Sequence, residues 1–290
     1  MTTAAQWVEG ARPRTLGAAV SPVLVGTAAA VADADGVIWW RFAFAMIVAL
    51  ALQVGVNYAN DYSDGVRGTD KARKGPLRLT ATGTATPRAV KRAAALSFLV
   101  AAAAGLVLSL VVNPWLLLVG IAAIAAAVLY TGGPKPYGYI GLGEVMVLVF
   151  FGFVATVGSA YVQVKDVPGA AWWGALVVGL LACAILLANN VRDVPTDTVS
   201  GKRTLAVRMG DRTARRLFVA CYAGSFLSVV AIGITQPWAL LGLLALPLAV
   251  QPVRWVLTAH DPPSLVAALI GTSRLELVVA VLVSVGLCLS

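Results

Sequence analysis

Apolar stretches of about twenty residues recur along the whole chain, and no other feature restricts the possible folds as strongly. A helix needs about 20 such residues to cross the roughly 30 Å hydrocarbon core of a bilayer. Nine stretches are candidates: 17–33, 39–59, 92–112, 115–131, 141–162, 171–190, 214–233, 237–256 and 272–289. Charged residues make up 12% of the chain, against about 25% in a soluble domain. The sequence therefore predicts an all-α, polytopic membrane protein with nine transmembrane helices.

Positive charges fall on alternate connections between these helices. Of the 22 Lys and Arg residues, all except Arg41 and Lys165 lie at the N-terminus or after the second, fourth, sixth and eighth predicted helices. Lys and Arg concentrate on the cytoplasmic side of membrane proteins. We therefore expect a multi-pass protein of the bacterial plasma membrane, with a cytoplasmic N-terminus and an external C-terminus. Orientation and contact with anionic lipid also account for the net charge of +9 without a nucleic acid partner.

The chain is expected to form a single domain, 1–290, that contains a weak internal repeat. Two four-helix units, roughly 17–131 and 141–256, are followed by the last helix, 272–289. In each unit a long cytoplasmic loop follows the second helix, begins with Asn and Asp residues and then becomes basic. Because internal repeats are common among polytopic membrane proteins, the two loops are expected to occupy equivalent positions.

Carboxylates and amides form a cluster at the end of an apolar stretch in each unit. The first cluster contains Asn57, Asn60, Asp61 and Asp64, with Asp70 following in the loop, and the second contains Asn189, Asp193 and Asp197. This spacing places each set on one face of a helix if the helix continues that far, although Pro195 would kink or end the second helix. Like charges on one face repel each other, whereas Mg²⁺ binds such oxygen ligands together with phosphate. The clusters therefore predict two magnesium ions holding one diphosphate.

Basic residues follow both clusters and are expected to bind phosphate oxygens. They are Arg67, Lys71, Arg73 and Arg78 after the first cluster, and Arg192, Lys202 and Arg203 after the second. An arginine guanidinium offers a planar pair of donors that matches phosphate oxygens. Lys135, in the connection between the two units, is either a further phosphate ligand or an ordinary turn residue.

Other residues near the expected cytoplasmic face have two interpretations. Tyr58, Tyr130 and Tyr139, with Tyr62 and Tyr137, form either an interfacial aromatic belt or a wall that faces a carbocation. Glu144 lies four residues into an apolar stretch, where it either meets a partner or ligand or extends to the interface as an end charge. The clusters also have a structural alternative, solvated or Arg-paired carboxylates, and a functional alternative, the cation site of a transporter.

The two clusters resemble the Asp-rich motifs of the UbiA superfamily of membrane prenyltransferases. The segments that carry the resemblance are 11–16, 60–70, 139–144 and 189–193, and they look most like the 1,4-dihydroxy-2-naphthoate polyprenyltransferases of menaquinone synthesis. The resemblance implies nine helices around a central cavity that is open laterally to lipid and capped by the two loops. It also implies transfer of a polyprenyl chain from an allylic polyprenyl diphosphate to 1,4-dihydroxy-2-naphthoate, with demethylmenaquinone, diphosphate and carbon dioxide as products.

The same resemblance implies roles for the cluster residues. Asp61, Asp64, Asp193 and Asp197 would hold two Mg²⁺ ions on the diphosphate, assisted by Asn57, Asn60 and Asn189. Many relatives have a carboxylate four residues after Asp64, where this chain has Gly68, so Asp70 stays open as a further ligand. Other acceptors used in the superfamily are 4-hydroxybenzoate, homogentisate, haem and a glycerol phosphate lipid, and they are kept as alternatives.

Overall fold

The computed structural model describes residues 2–32, 36–69 and 77–290, and within them every regular element is helical. The α-helices are α1 (Ala4–Gly10), α2 (Gly17–Val31), α3 (Trp39–Arg67), α4 (Pro87–Val111), α5 (Leu116–Leu129), α6 (Gly143–Val147), α7 (Ala155–Val164), α8 (Gly169–Val199), α9 (Leu205–Met209), α10 (Asp211–Gly233), α11 (Leu246–Thr258) and α12 (Pro262–Leu289). Two 3₁₀ turns (Pro13–Thr15 and Tyr137–Ile140), a π-helix (Leu148–Val154) and a 3₁₀ helix (Pro237–Ala245) connect or extend them. Asp70, Lys71 and Arg73 lie outside the described residues.

All nine predicted stretches contain helix, but fewer than nine are full spans in the part of the chain that the structure describes. Seven segments are long and apolar enough to cross a membrane: Trp39–Arg67, Pro87–Val111, Gly143–Val164, Gly169–Val199, Asp211–Gly233, Pro237–Thr258 and Pro262–Leu289. An eighth is obtained if Ala4–Thr15 and Gly17–Val31 count as one span bent by 50°. The helix in the stretch 115–131 has only 14 residues and a length of about 21 Å, because the chain turns at both of its ends. The protein is a multi-pass, all-helical membrane protein.

The two longest helices, α3 and α8, extend beyond the predicted spans and carry the two polar clusters. α3 ends at Gly68, whose φ of 75° is the left-handed conformation that glycine adopts readily at a helix C-terminus. α8 continues through Pro195 to Val199, so the proline does not end the helix. The members of each cluster therefore lie on helix, one turn apart, as the spacing predicts.

α8 is the central helix of the larger hydrophobic core. It packs against α10, α12, α2 and the π-helix. Gly179 of α8 faces Gly152 of the π-helix so closely that a Cβ atom on Gly179 would lie 2.7 Å from the Gly152 Cα. α3 packs mainly against α4, and both contribute to a smaller core around Tyr58 and Leu79. A cavity lies between these two groups of helices.

Candidate active site

The cavity has a volume of about 390 Å³ and combines a polar end with apolar walls. α3, α5, the π-helix and α8 all contribute to its lining. Its polar residues are Arg12, Thr15, Gln53, Asn57, Asn60, Asp64, Arg78, Tyr130, Thr131, Tyr137, Tyr139, Ser159, Asn189, Asn190, Asp193, Asp197, Lys202 and Thr204. The apolar walls include Leu52, Val119, Phe150 and Phe151. Such a cavity suits a ligand with an anionic head and a long apolar tail.

The predicted site residues divide into two groups in the structure. Those that line the cavity are Asn57, Asn60, Asp64, Arg78, Tyr130, Tyr139, Asn189, Asp193, Asp197 and Lys202. Those that are described but do not line it are Tyr58, Asp61, Arg67, Lys135, Glu144, Arg192 and Arg203. The structure therefore brings the two clusters together at one end of the cavity, with all three members of the second cluster and every described member of the first except Asp61.

Asp64 connects the first cluster to the loop that follows the second. Its Oδ2 lies 3.1 Å from Nζ of Lys202, and its Oδ1 accepts a hydrogen bond of 2.5 Å from the hydroxyl of Tyr139. The same ammonium lies 4.8 Å from the centroid of the Tyr139 ring. Burial, and next the negative charge of Asp64, raises the pKa of Tyr139 above its ordinary value, so this phenol remains a neutral donor. The arrangement compensates a carboxylate that faces a poorly solvated cavity.

Asp193 is compensated by a residue of its own helix. The guanidinium of Arg192 donates from Nε to Oδ1 at 2.7 Å and from Nη2 to Oδ2 at 2.6 Å. Nη2 also donates to Oδ1 of Asn189 at 2.8 Å. This bidentate geometry is the strong form of an arginine–carboxylate pair. Arg192 thus orients Asn189 and Asp193 toward the cavity, which it does not itself line.

Asp61 has a different environment from Asp64, although the two lie in the same cluster. Asp61 is 1% exposed, and its two carboxylate oxygens accept hydrogen bonds from the backbone N–H groups of Leu79 and Thr80, at 2.7 and 2.8 Å. These bonds hold the loop that places Arg78 in the cavity lining. Asp61 therefore contacts the backbone beside Arg78 and does not itself line the cavity.

Asn57 and Tyr58 hold the N-terminal arm, residues 2–16, against α3. Nδ2 of Asn57 donates to the carbonyl of Ala11 at 2.9 Å, and the hydroxyl of Tyr58 donates to the carbonyl of Trp7 at 2.8 Å. The Trp7 and Tyr58 rings also pack edge to face. As a result the arm crosses the polar end of the cavity and contributes Arg12 to its lining.

Arg12 is a site residue that the sequence analysis did not identify. Its backbone has φ 58°, a left-handed conformation that is uncommon outside glycine. One guanidinium nitrogen, Nη2, is buried and has no hydrogen-bond partner in the described residues. Strained backbone of this kind is concentrated at functional sites. The signal in the sequence is weak, since an Arg before Pro at the start of an apolar stretch also fits an ordinary interfacial charge.

The remaining predicted residues lie outside the lining. Oε1 of Glu144 accepts a hydrogen bond of 2.8 Å from the side-chain amide of Asn190, which lines the cavity. Arg67 donates to the carbonyls of Thr131 and Gly133. Arg203 is exposed, and its backbone N–H donates to the carbonyl of Tyr139 at 2.9 Å. Lys135 is exposed.

The carboxylate and amide oxygens at the polar end fit a magnesium ion that is also coordinated by a bound substrate. Among the described residues, no group of three or more His, Cys, Asp and Glu side chains is close enough to hold a metal by itself. Asp64 approaches from α3, whereas Asp193 and Asp197 approach from α8, with the amides of Asn60 and Asn189 beside them. Carboxylate and amide oxygens are the hard ligands that Mg²⁺ combines with water and substrate phosphates.

The apolar part of the cavity reaches the surface of the protein beside α5. This helix packs against α3 and α4, and only Ala126 among its residues is buried. Val119 lines the cavity and is nevertheless 41% exposed. A long apolar ligand can therefore extend from the cavity toward the lipid-facing surface.

Comparisons with known proteins agree with this geometry. The model of the UbiA prenyltransferase family matches residues 19–285. The 1,4-dihydroxy-2-naphthoate octaprenyltransferase of Mycobacterium tuberculosis is 47% identical to this chain, covering 98% of it and 97% of the relative. The protein with the same description from Escherichia coli is 38% identical and covers 98% and 95%.

A solved structure shows the same fold at low sequence identity. The UbiA homolog from Archaeoglobus fulgidus bound to GPP and Mg²⁺ is 14% identical to this chain and superposes with a TM-score of 0.68, covering 96% of this chain and 99% of the homolog. Helix arrangement is thus shared over nearly the whole length of both proteins. From the family match and its close relatives, we conclude that the chain belongs to the UbiA prenyltransferase family.

Proposed function

We propose that this protein transfers a polyprenyl chain from an allylic polyprenyl diphosphate to 1,4-dihydroxy-2-naphthoate. The observation that carries the proposal is the meeting of both polar clusters, with Arg12, Arg78 and Lys202, at one end of an apolar cavity. The relatives from M. tuberculosis and E. coli, both described as 1,4-dihydroxy-2-naphthoate octaprenyltransferases, support the choice of acceptor. In the reaction, the allylic C–O bond breaks with its electron pair leaving on diphosphate, and a ring carbon bonds to the allylic carbon. The ring carboxylate is lost as carbon dioxide, so the product is demethylmenaquinone in its reduced, quinol form.

The polar end is proposed to bind the diphosphate. Asp64, Asp193 and Asp197 would hold Mg²⁺, two ions in all, with the amide oxygens of Asn60 and Asn189 beside them. Bound there, the metal would neutralise the negative charge that develops on the leaving diphosphate. Arg12, Arg78 and Lys202 line the same end of the cavity and would donate to phosphate oxygens, which stabilises the leaving group in the same sense.

Lys202 is proposed to have two partners, Asp64 and a phosphate oxygen of the substrate. In this structure its ammonium pairs with Asp64, which compensates the carboxylate. With a metal held by Asp64, the ammonium of Lys202 would be available to donate to a phosphate oxygen. The hydroxyl of Tyr139, which donates to Asp64, would keep the carboxylate oriented.

The walls of the cavity are proposed to bind the tail and to protect the allylic cation. Each CH₂ group of a prenyl chain costs about 0.8 kcal/mol when it is exposed to water, so the apolar walls keep the tail out of water as the bilayer does. Tyr130, Tyr139, Phe150 and Phe151 line the cavity, and aromatic faces stabilise a nearby cation. Exclusion of water by these side chains prevents hydrolysis of the cation before the acceptor reacts.

Residues outside the lining are proposed to position those within it. Asp61 places Arg78, Arg192 orients Asp193, Glu144 orients Asn190, and Asn57 and Tyr58 hold the arm that carries Arg12. No role is assigned to Lys135, whose side chain is exposed.

The protein is further proposed to lie in the bacterial plasma membrane with its N-terminus in the cytoplasm and its C-terminus outside. The distribution of Lys and Arg supports this orientation. It places the polar end of the cavity at the inner leaflet. The single-domain organisation with two four-helix units also remains a proposal.

The test is product analysis by mass spectrometry with purified protein. The protein is given Mg²⁺, one allylic polyprenyl diphosphate and, separately, 1,4-dihydroxy-2-naphthoate, 4-hydroxybenzoate and homogentisate. We expect release of diphosphate and a prenylated, decarboxylated product with the naphthoate alone. A preference for another acceptor would overturn the acceptor assignment, and no diphosphate release with any acceptor would overturn the prenyltransferase proposal.

A further inference from the structure

A second groove lies on the outside of the protein, apart from the active-site cavity. It has a volume of about 580 Å³ and is formed where the 3₁₀ turn Pro13–Thr15 and the start of α2 cross the middle of α12. Arg14, Gly17, Ser273, Arg274 and Leu277 line it, with Pro13 and Ile270. None of these residues lines the active-site cavity. The groove is therefore a separate site.

The position of Arg274 on α12 places the groove at a membrane boundary. The exposed side chains that follow it on the same face are Leu277, Val281, Val285 and Leu289, which form a continuous lipid-facing stripe. Arg274 precedes this stripe by one helical turn. From Arg274 to Leu289 the helix rises about 22 Å, so the backbone of Arg274 lies within the roughly 30 Å of the hydrocarbon core. Its long side chain extends toward the nearer boundary, beside Arg14 and the first residue of α2.

Both arginines of the groove lack protein partners in the described ranges 2–32, 36–69 and 77–290. Arg14 and Arg274 are exposed, and no ion pair or hydrogen bond joins either guanidinium to another described side chain. The acid nearest to Arg274 along α12, Glu276, is fully buried on another face of the helix. A cation at the membrane boundary with no protein anion beside it favours an anionic lipid headgroup.

The floor of the groove is a close crossing of α2 and α12. Gly17 lets the start of α2 approach α12 so closely that an added Cβ would lie 3.3 Å from the carbonyl oxygen of Ser273. The arginines stand beside this crossing, and Leu277 begins the apolar stripe below it. Charged donors next to an apolar track match the two parts of a phospholipid.

We propose that this groove binds one anionic phospholipid. The guanidinium groups of Arg14 and Arg274 donate to the headgroup phosphate, a geometry for which arginine is well suited. One acyl chain runs along the stripe from Leu277 to Leu289. The site is independent of the proposed reaction, but Arg14 is two residues from Arg12, so a bound lipid would also stabilise the turn that holds Arg12 at the active site.

The experiment compares lipid binding by native mass spectrometry. Wild-type protein in neutral detergent is titrated with palmitoyl-oleoyl phosphatidylglycerol, with the corresponding phosphatidylcholine, and with inorganic phosphate. We expect one phosphatidylglycerol molecule to bind at least about tenfold more tightly than phosphatidylcholine, since each arginine near a membrane surface contributes about 1 kcal/mol. The double variant Arg14→Gln/Arg274→Gln should lose this preference.

The matched control is Arg212→Gln/Arg216→Gln, which removes two exposed arginines of α10 that lie outside the groove. It should retain the preference for phosphatidylglycerol. Equal binding of phosphatidylglycerol to the groove variant and to wild type would overturn the site. Inorganic phosphate that binds as tightly as phosphatidylglycerol would overturn the lipid assignment. Melting temperatures measured without added lipid confirm that each variant is folded.

Discussion

At the scale of single residues, two aspartates of the same cluster have different tasks. Asp61 and Asp64 are separated by three positions on α3, and both are buried. Asp64 faces the cavity and pairs with Lys202. Asp61 turns to the other side and accepts two backbone N–H groups. We therefore expect Asp61 to hold the backbone of the loop at Leu79 and Thr80. Asp64, which is paired with a side-chain ammonium and faces the cavity, is expected to bind a ligand.

Asp64→Asn and Asp61→Asn are therefore expected to fail in different ways. The first should lower kcat by about 10² or more, since it removes charge stabilisation at the leaving group, and it should also lower the melting temperature, because Lys202 loses its partner. The second should destabilise the protein by about 1–3 kcal/mol, because an asparagine NH₂ would face a buried backbone donor. Prenyl transfer and thermal unfolding measured on both variants check this. The reverse pattern, a stable inactive Asp61→Asn and an active Asp64→Asn, would contradict the assignment.

Arg12 provides a second prediction at this scale. Arg12→Gln should raise the KM of the prenyl diphosphate by about tenfold or more, because a charged hydrogen bond contributes about 1.5–3 kcal/mol. KM is measured separately for the prenyl diphosphate and the acceptor, and the KM of the acceptor should change little. Arg12→Lys should recover part of the affinity by restoring the charge.

Arg254→Gln is the control for Arg12, since Arg254 is exposed on α11 and does not line the cavity. It should leave both KM values unchanged. Equal KM values for wild type and Arg12→Gln with both substrates would remove Arg12 from the site.

At the scale of elements, the π-helix keeps the same face of the span Gly143–Val164 directed toward the cavity. The lining residues of this span come in pairs every four positions: Met146 and Val147, Phe150 and Phe151, Val154 and Ala155, Gly158 and Ser159. Four residues of α-helix exceed one turn by about 40°, so a regular helix would rotate this series away from the cavity. The wider π turns over Leu148–Val154 reduce that rotation. π-Helical segments inside α-helices are frequent at functional sites.

Gly158 is a position at which we can test whether a long prenyl tail passes along this helix. It lines the cavity, and an added Cβ would meet no atom within 4 Å. Gly158→Phe should therefore fold normally and place a ring where a long tail lies. We expect turnover of a long polyprenyl diphosphate to fall by about tenfold or more, and turnover of geranyl diphosphate to change little.

Gly169→Phe is the matched control. A Cβ added at Gly169 would also meet no atom within 4 Å, but Gly169 lies outside the cavity lining. Both diphosphates should be used by this variant at the wild-type rate. If Gly158→Phe affected short and long donors equally, the tail would not pass this position.

At the scale of the whole molecule, the site exists only because two helix groups enclose it. The α3 group provides Asp64 and, through its contacts with the arm and the loop, Arg12 and Arg78. The α8 group provides Asp193 and Asp197. A ligand that bridges the two groups should therefore stabilise the entire fold.

Inorganic diphosphate and Mg²⁺ added together should raise the melting temperature more than either alone. A ligand that binds only the folded protein contributes about 2.7 kcal/mol at a hundredfold excess over its Kd. EDTA should abolish the shift, and Asp64→Asn and Asp193→Asn should each reduce it. Differential scanning fluorimetry in detergent measures these shifts. An equal shift with diphosphate in the presence of EDTA would contradict the metal assignment.

The sequence by itself determined the class of fold and the location of the two clusters. The length of the apolar stretches, the distribution of Lys and Arg between the connections and the one-turn spacing of the cluster residues can all be read from the sequence. The membrane helices and the meeting of Asp64, Asp193 and Asp197 at one site could therefore be anticipated. The number of full spans could not: nine were predicted, and the described residues contain seven, or eight with the bent pair, since α5 is shortened by turns at both ends.

Tertiary structure alone decided which members of each cluster face the cavity. Spacing places Asp61 and Asp64 on neighbouring parts of one helix surface, but the loop at Leu79 and Thr80 captures Asp61. Arg12 reaches the site because Asn57 and Tyr58 bind a segment about 46 to 51 residues earlier in the chain. Such long-range contacts depend on how helices pack, which no local pattern encodes.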